Sequence, residues 1–76
     1  MDEQELIERI KQGDEMALAS LMKIYKDRLV NFLYHSLGDY ERAVELAQET
    51  FMRVYFRAHQ YRPVGPLSAW IFTIAS

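Results

Sequence analysis

The run of residues 39–60 constrains the fold more than any other stretch, because it carries two apolar faces instead of one. Successive residues of an α-helix are rotated by about 100°, so residues spaced i, i+3, i+4 and i+7 share one side and form a stripe that packs on a core. The first face has this spacing and consists of Tyr40, Ala43, Val44, Ala47, Phe51, Val54, Tyr55 and Ala58. We therefore expect a helix whose inward side is formed by these residues.

A second group of side chains lies roughly a quarter to a third of a turn from the core side of this helix. It comprises Glu41, Glu45, Gln48, Glu49, Met52 and Phe56. Met52 and Phe56 are one turn apart and are flanked by an amide and carboxylates, a pattern typical of a protein-binding patch with a polar rim. Alternatively, another helix of the same domain covers the two apolar side chains. Periodicity leaves both interpretations open.

The composition indicates one small domain. Half of the 76 residues are hydrophobic, and a domain of this size buries only ~60% of its unfolded surface. The absence of cysteine excludes disulfides, thiolate metal sites and cysteine catalysis. No apolar run approaches the ~20 residues of a membrane span, and the acidic N-terminus is unlike a signal peptide. These features predict a cytoplasmic protein without a membrane segment.

The net charge of −2 is divided into blocks of opposite sign along the chain. Residues 1–15 sum to −4, residues 16–38 to +2, residues 39–52 to −3 and residues 53–76 to +3. An acidic surface beside a basic one suits a molecule that contacts a basic protein on one side and phosphates on the other. In the simpler interpretation, Arg53 and Arg57 occupy the last turns of a helix, where cations interact favourably with its dipole.

Two Gly-Asp pairs, at residues 13–14 and 38–39, divide the N-terminal part into three helices. Glycine favours the left-handed conformation that ends a helix, and aspartate caps the next one. The first helix opens at Asp2, and the second runs from Glu15 to Leu37. The apolar positions of the second helix are Leu18, Leu21, Met22, Tyr25, Leu29, Phe32 and Leu33. The tight junction after Leu37 predicts that the second and third helices form an antiparallel hairpin.

After residue 60, two prolines and a glycine interrupt the helical pattern. We expect an ordered loop there, followed by a last helix that begins between Pro66 and Ser68, with Ser68 as a good capping residue. The single tryptophan, Trp70, is expected to pack inward from this helix. The predicted fold class is all-α, a compact bundle of about four helices around a central antiparallel hairpin.

The sequence offers no support for an enzyme. His35 and His59 are far apart in the chain and have no ligand-spaced partners, so neither a metal site nor a catalytic histidine is expected. No nucleophile elbow, P-loop or glycine-rich nucleotide fingerprint is present. We therefore expect no cofactor, no metal and no small-molecule substrate.

The segment Glu45-Leu46-Ala47-Gln48-Glu49-Thr50-Phe51, preceded by a Gly-Asp pair and followed by Trp70, Ile74 and Ala75, resembles a known family. It looks like region 2 of bacterial RNA polymerase sigma factors, and the extracytoplasmic-function group fits best. The resemblance covers nearly the whole chain, so residues 1–76 are expected to form one region 2-like domain. The C-terminal end of that domain and region 4, which the family uses to read the minus-35 element, would be missing.

The resemblance implies a docking role for the third helix. In the family, an acidic-x-x-Gln-Glu face of region 2.2 binds the clamp helices of the polymerase's largest subunit. Glu45, Gln48 and Glu49 match that motif by position, although the family usually has aspartate where this chain has Glu45. Met52 and Phe56 are expected to complete the polymerase-binding surface.

The resemblance also implies a DNA-binding site in the loop after the third helix, where the family captures a flipped base of the minus-ten element. Tyr61 would offer a stacking ring, Arg62 a phosphate or base contact, and Gly65 close approach of the backbone, with Ser68 at the end of the loop. The alternative is a plain proline turn. The implied partners are the polymerase core, single-stranded promoter DNA and an anti-sigma factor. The alternative function is a small helical protein-protein interaction domain without a DNA-binding role.

Overall fold

A computed structural model describes all 76 residues of the chain. It contains four α-helices and one short 3-10 helix, and it has no strand. The helices are α1 (Glu3–Lys11), α2 (Glu15–Leu37), α3 (Tyr40–Arg57) and α4 (Leu67–Ala75), and the 3-10 helix spans Ala58–Gln60. The all-α fold class predicted from the sequence is confirmed.

The junctions before α2 and α3 have the caps that the sequence predicts. The Asp14 side chain accepts hydrogen bonds from two backbone amides in the first turn of α2, at 3.0 and 3.2 Å. Gly38 ends α2 in the left-handed conformation, with φ of 71°, and Asp39 accepts a hydrogen bond from the Arg42 amide at 3.1 Å. Such N-caps are each worth about 1 kcal/mol. Together they confirm the tight reversal that folds α2 and α3 into a hairpin.

A single apolar core lies between the hairpin and the two short helices. The most extensive packing joins α2 to α3, while α1 packs on α2 and on the 3-10 helix, and α4 packs mainly on α3. The largest fully buried apolar side chains are Tyr25, Ile7, Leu21, Leu29, Ile71 and Val54. Trp70 is partly buried against this core, which confirms its structural role. The core therefore draws on all four helices, although two of them have only nine residues.

The predicted core includes two aromatic residues that are in fact exposed, and it omits one polar residue that is buried. Tyr40 is 61% exposed, because it lies in the first turn of α3 and packs edge-on against Tyr34 instead of the core. Phe32 is 40% exposed, although its ring packs edge-on against that of Phe72 in α4, with ring centroids 5.1 Å apart. Thr50 is buried, and its hydroxyl donates to a carbonyl of its own helix at 2.7 Å, which satisfies the polar atom.

The fourth helix begins at Leu67, within the predicted range, but its cap and the end of the third helix differ from expectation. The α-helix stops at Arg57, and its continuation tightens into the 3-10 turn. Ser68 was expected to be a capping residue, but that prediction is wrong. Pro66 precedes α4 without a side-chain cap, and Ser68 lies half-buried inside the first turn. Proline suits this boundary because its fixed φ leads directly into a helix and its missing N–H needs no partner.

Candidate functional site

The exposed side of α3 is the first candidate site. Met52 is 51% exposed and Phe56 is 66% exposed, so the two side chains lie on the surface of this chain. Of the two interpretations that periodicity left open, the structure supports the exposed one, since no other helix of this chain covers these side chains. Glu45, Gln48 and Glu49 are exposed beside them on the same helix. We refer to these five residues as the α3 face.

Small residues on the opposite side of the helix fix the direction in which the α3 face points. Ala43 and Ala47 are almost completely buried, and they stand on the stripe that packs against the rest of the bundle. Phe51 and Val54 continue this stripe into the core with no more than 2% of their surface exposed. The packing of these residues fixes the orientation of α3 about its own axis. The α3 face is therefore directed outward by the helix itself, and no loop is needed to position it.

The charges of the α3 face are engaged only in weak local pairs. Glu45 lies 3.3 Å from the guanidinium of Arg42, and Glu49 lies 4.0 Å from that of Arg53. All four side chains are about half exposed or more. Exposed pairs of this kind contribute little to stability, so both carboxylates can exchange their partners for cations of another protein. Gln48 borders a shallow pocket of about 170 Å³ between α2 and α3.

The loop between the 3-10 helix and α4 is the second candidate site, and it is not arranged as the sequence predicts. Tyr61 was expected to offer a free stacking ring, but its side chain is only 3% exposed and belongs to the core. The ring packs against Trp70 of α4, with ring centroids 5.3 Å apart. The prediction of an exposed ring is therefore wrong, because a residue that follows α3 in sequence is covered by α1 and α4 in space.

Of the remaining residues predicted for this site, Ser68 is half-buried in the first turn of α4, and the other two are accessible. Arg62 and Gly65 are exposed, and Val64 between them is 93% exposed. A shallow pocket of about 200 Å³ is lined by Tyr61, Arg62, Gly65 and Trp70 among others. A methyl group added at Gly65 would meet nothing within 4 Å, so this glycine leaves free space beside the backbone. The loop thus presents a cation and open backbone above a floor that Tyr61 and Trp70 help to form.

Two residues of α1 reach this loop, and the sequence analysis missed both. Gln4 donates a hydrogen bond from its Nε2 to the Tyr61 hydroxyl at 2.9 Å, across 57 positions of the chain. The Nζ of Lys11 lies 5.8 Å from the centre of the Tyr61 ring, within range of a cation–π interaction. Neither contact has a local sequence signal, since each depends on how α1 docks on the far end of α3.

A further polar contact joins α1 to α2. The Tyr25 hydroxyl donates to the carboxylate of Glu3, and the guanidinium of Arg28 lies 5.1 Å from the centre of the Tyr25 ring. Burial and the neighbouring Glu3 carboxylate raise the pKa of Tyr25 to about 12, while Arg28 acts in the opposite direction. The adjacent residues Glu3 and Gln4 therefore hold α1 to two different parts of the molecule.

Two structural findings concern other classes of site. No group of three or more histidine, aspartate or glutamate side chains is placed to hold a metal ion. No helix combines the length and the apolar character that crossing a membrane requires.

Comparison with known proteins identifies the class of domain that this bundle represents. The family model for sigma-70 region 2 matches residues 21–76, which is most of the chain. The chain therefore belongs to the sigma-70 region 2 family, a family of transcription factors, and the resemblance drawn from the α3 motif is confirmed.

The curated relatives agree with this assignment. The chain is 34% identical over 70 residues to the extracytoplasmic-function RNA polymerase sigma factor SigW of Bacillus subtilis, covering 92% of this chain and 37% of that protein. It is 33% identical over 72 residues to the sigma factor BldN of Streptomyces coelicolor, covering 93% of this chain and 27% of that protein. It is 27% identical over 73 residues to the RNA polymerase sigma-H factor of Pseudomonas aeruginosa, covering 96% and 38%. The chain thus spans well under half the length of these relatives.

Proposed function

We propose that this chain is the module of a transcription initiation factor that docks on RNA polymerase through the α3 face. The observation that carries the proposal is the exposure of Met52 and Phe56, one turn apart, on a helix whose rotation is fixed by the core. An exposed apolar patch with a polar rim is a feature of protein-binding surfaces. Glu45, Gln48 and Glu49 surround the two apolar side chains at the positions of the family motif.

The charge of this region favours a basic partner helix. Residues 39–52 carry a net charge of −3, and the ion pairs of Glu45 and Glu49 are exposed and local. Two apolar anchors inside an acidic and amide rim are suited to the side of a helix or coiled coil that carries lysine or arginine beside apolar residues. The proposed partner is the clamp-helix coiled coil in the largest subunit of RNA polymerase.

The basic C-terminal part supports a second role, which is to contact single-stranded promoter DNA at the minus-ten element. Residues 53–76 carry a net charge of +3 and no carboxylate side chain. Arg57 and Arg62 are exposed, and neither forms a salt bridge within the chain. Free cations beside an open loop suit the backbone of an unpaired strand. Because Tyr61 is buried, we assign the direct DNA contact to Arg62 and the open backbone around Gly65, and to Tyr61 the support of the loop from below.

The docking proposal is tested by the double substitution Gln48→Ala with Glu49→Lys. We expect at least a tenfold loss of affinity for a clamp-helix fragment of polymerase, or about 1.4 kcal/mol, measured by calorimetry. The free energy of unfolding should change by less than about 0.5 kcal/mol, because both side chains are exposed. The matched control is Asn31→Ala with Asp27→Lys, an amide and a carboxylate exposed on α2.

Two results would count against the docking proposal. Unchanged binding by the double variant would remove the α3 face as the interface. A loss of folding as large as the loss of binding would show that these residues act inside the domain instead of at a partner surface. The control pair should leave both quantities unchanged.

A further inference from the structure

The loop that carries Arg62 has little backbone structure of its own. Between Arg62 and Pro66, the backbone makes one internal hydrogen bond, from the Val64 amide to the Arg62 carbonyl at 2.8 Å. The Tyr61 hydroxyl reaches across the loop to the carbonyl oxygen of Gly65, in a long hydrogen bond of 3.4 Å. The Tyr61 hydroxyl is therefore a side-chain contact that links the Gly65 end of the loop to the core.

A phenolic hydroxyl has only one hydrogen, and its partners decide where that hydrogen points. In the structure, the amide Nε2 of Gln4 donates to the Tyr61 oxygen at 2.9 Å. With its oxygen occupied as an acceptor, the hydroxyl keeps its own hydrogen available for the Gly65 carbonyl. The three groups thus form a chain of hydrogen bonds with one direction, from Gln4 through Tyr61 to Gly65, and such chains strengthen their members.

We infer that Gln4 is a positioning residue for the DNA-binding loop, acting through the direction of the Tyr61 hydroxyl. The inference rests on the proposed DNA-binding role of the loop. Gln4 lies on the first turn of α1, outside residues 21–76 that match the family model. By donating to Tyr61, it holds the Gly65 carbonyl inward and thereby fixes the backbone that presents Arg62 to an unpaired strand.

Three substitutions distinguish an effect of the hydrogen-bond direction from an effect of the packing of the Tyr61 ring. Tyr61→Phe keeps the ring but removes both hydrogen bonds. Gln4→Glu keeps the length of the side chain but replaces the donor with a carboxylate that only accepts, so the hydroxyl donates to residue 4 and leaves the Gly65 carbonyl unpaired. Gln4→Met removes the contact to α1 but leaves the hydroxyl hydrogen free for Gly65. A directional role predicts that the first two variants behave alike and that the third is milder.

The test has one readout for the loop and one for DNA. The carbonyl ¹³C chemical shift of Gly65, measured by NMR on this chain, should move in Tyr61→Phe and Gln4→Glu and change much less in Gln4→Met. The dissociation constant for a single strand bearing the minus-ten element, measured with the chain bound to polymerase core, should rise about fivefold in the first two variants. It should rise about twofold in the third, which leaves the direction of the hydroxyl unfixed but keeps its hydrogen available for Gly65. Clamp-helix affinity should be the same in all three.

Two controls separate the loss of positioning from the loss of charge. Gln12→Glu makes the same change of charge at the exposed C-cap of α1, and it should leave the Gly65 signal and the strand affinity unchanged. Tyr61→Phe removes no charge, so the salt dependence of strand binding should keep its slope. Arg62→Ala should flatten that slope by about one contact.

The outcomes distinguish this inference from the function on which it rests. A Gly65 carbonyl signal unchanged in Tyr61→Phe and Gln4→Glu would overturn the inference. A Gln4→Met variant that is as impaired as Gln4→Glu, or that is indistinguishable from the wild type, would overturn it too. The inference would also be overturned if the affinity for the strand were unchanged in Gln4→Glu and Tyr61→Phe but reduced in Arg62→Ala. That result would leave the proposed DNA-binding function intact. Strand affinity that is indifferent to Arg62→Ala as well would contradict the DNA-binding function itself.

Discussion

The α3 face and the loop after α3 are neighbours in sequence, but they are built in different ways. All five residues of the α3 face lie on one helix, and their relative positions follow from the helical period. In the loop, Tyr61 is contacted by Gln4 from α1 and by Trp70 from α4. In the first region, substitutions can change binding without changing stability. In the second, the residue that supports the site also supports the fold.

The largest expected effect that tests this contrast is the destabilisation caused by Tyr61→Ala. Removing a buried aromatic side chain that packs on Trp70 and bonds to α1 should lower the free energy of unfolding by about 3 kcal/mol. For a domain of this size, that is a large share of the total stability. Urea denaturation followed by circular dichroism measures it.

The matched control for this prediction is Phe56→Ala on the α3 face. Phe56 is an aromatic residue of similar size with 66% of its surface exposed, so its removal should change stability by less than about 0.5 kcal/mol. Equal destabilisation by the two substitutions would remove the contrast between the regions. A stable Tyr61→Ala variant would show that the ring is free in solution and would restore the stacking role predicted from the sequence.

A smaller effect is expected from pH at the other contact of α1, where Tyr25 donates to Glu3. Burial and the Glu3 carboxylate raise the pKa of Tyr25 to about 12 in the folded chain, while Arg28 partly opposes the shift. The unfolded tyrosine ionises near its ordinary value of about 10. Its contribution to stability is therefore complete below about pH 10 and is lost as the pH rises towards about 12.

The corresponding measurement is the free energy of unfolding across this pH range in the wild type and in Tyr25→Phe. Between about pH 9 and 12, the wild type should lose about 2 kcal/mol more than the variant, because only the wild type carries this ionisation. Parallel curves would show that the folded chain does not raise the pKa of Tyr25 above its ordinary value. Tyr25→Phe removes the contact between Glu3 and the hairpin and leaves the hydrogen bond from Gln4 to Tyr61 in place. The effects of these two contacts of α1 can therefore be measured separately.

The same contrast explains how much could be predicted from the sequence. The bounds of α2 and the caps at Asp14 and Asp39 depend on neighbours within a few residues, and these predictions are confirmed. The exposure of Met52 and Phe56 is different, because periodicity left it open and only the structure decides it. The sequence motif of α3 also identified the family correctly.

The sequence failed where a residue's surroundings come from distant parts of the chain. Tyr61 looks like an exposed loop residue until α1 and α4 are placed around it. Tyr40 follows the core period, but the stripe reaches the end of the hairpin and has nothing beyond it to pack against except Tyr34. Ser68 is a good capping type, but Pro66 already sets the start of α4. Periodicity gives the direction of a side chain on its helix, but not which other element lies opposite.

The claim that the α3 face docks on polymerase is tested most directly by removing its apolar centre. The measurement is the affinity of the chain for a clamp-helix fragment in the double variant Met52→Ala with Phe56→Ala. Tyr40→Ala is the control, since Tyr40 is a similarly exposed aromatic on the same helix but stands outside the α3 face. We expect the double variant to bind at least tenfold more weakly, a change of about 1.4 kcal/mol, and the control to bind as the wild type does. Equal affinity in all three proteins, each still folded, would contradict the account.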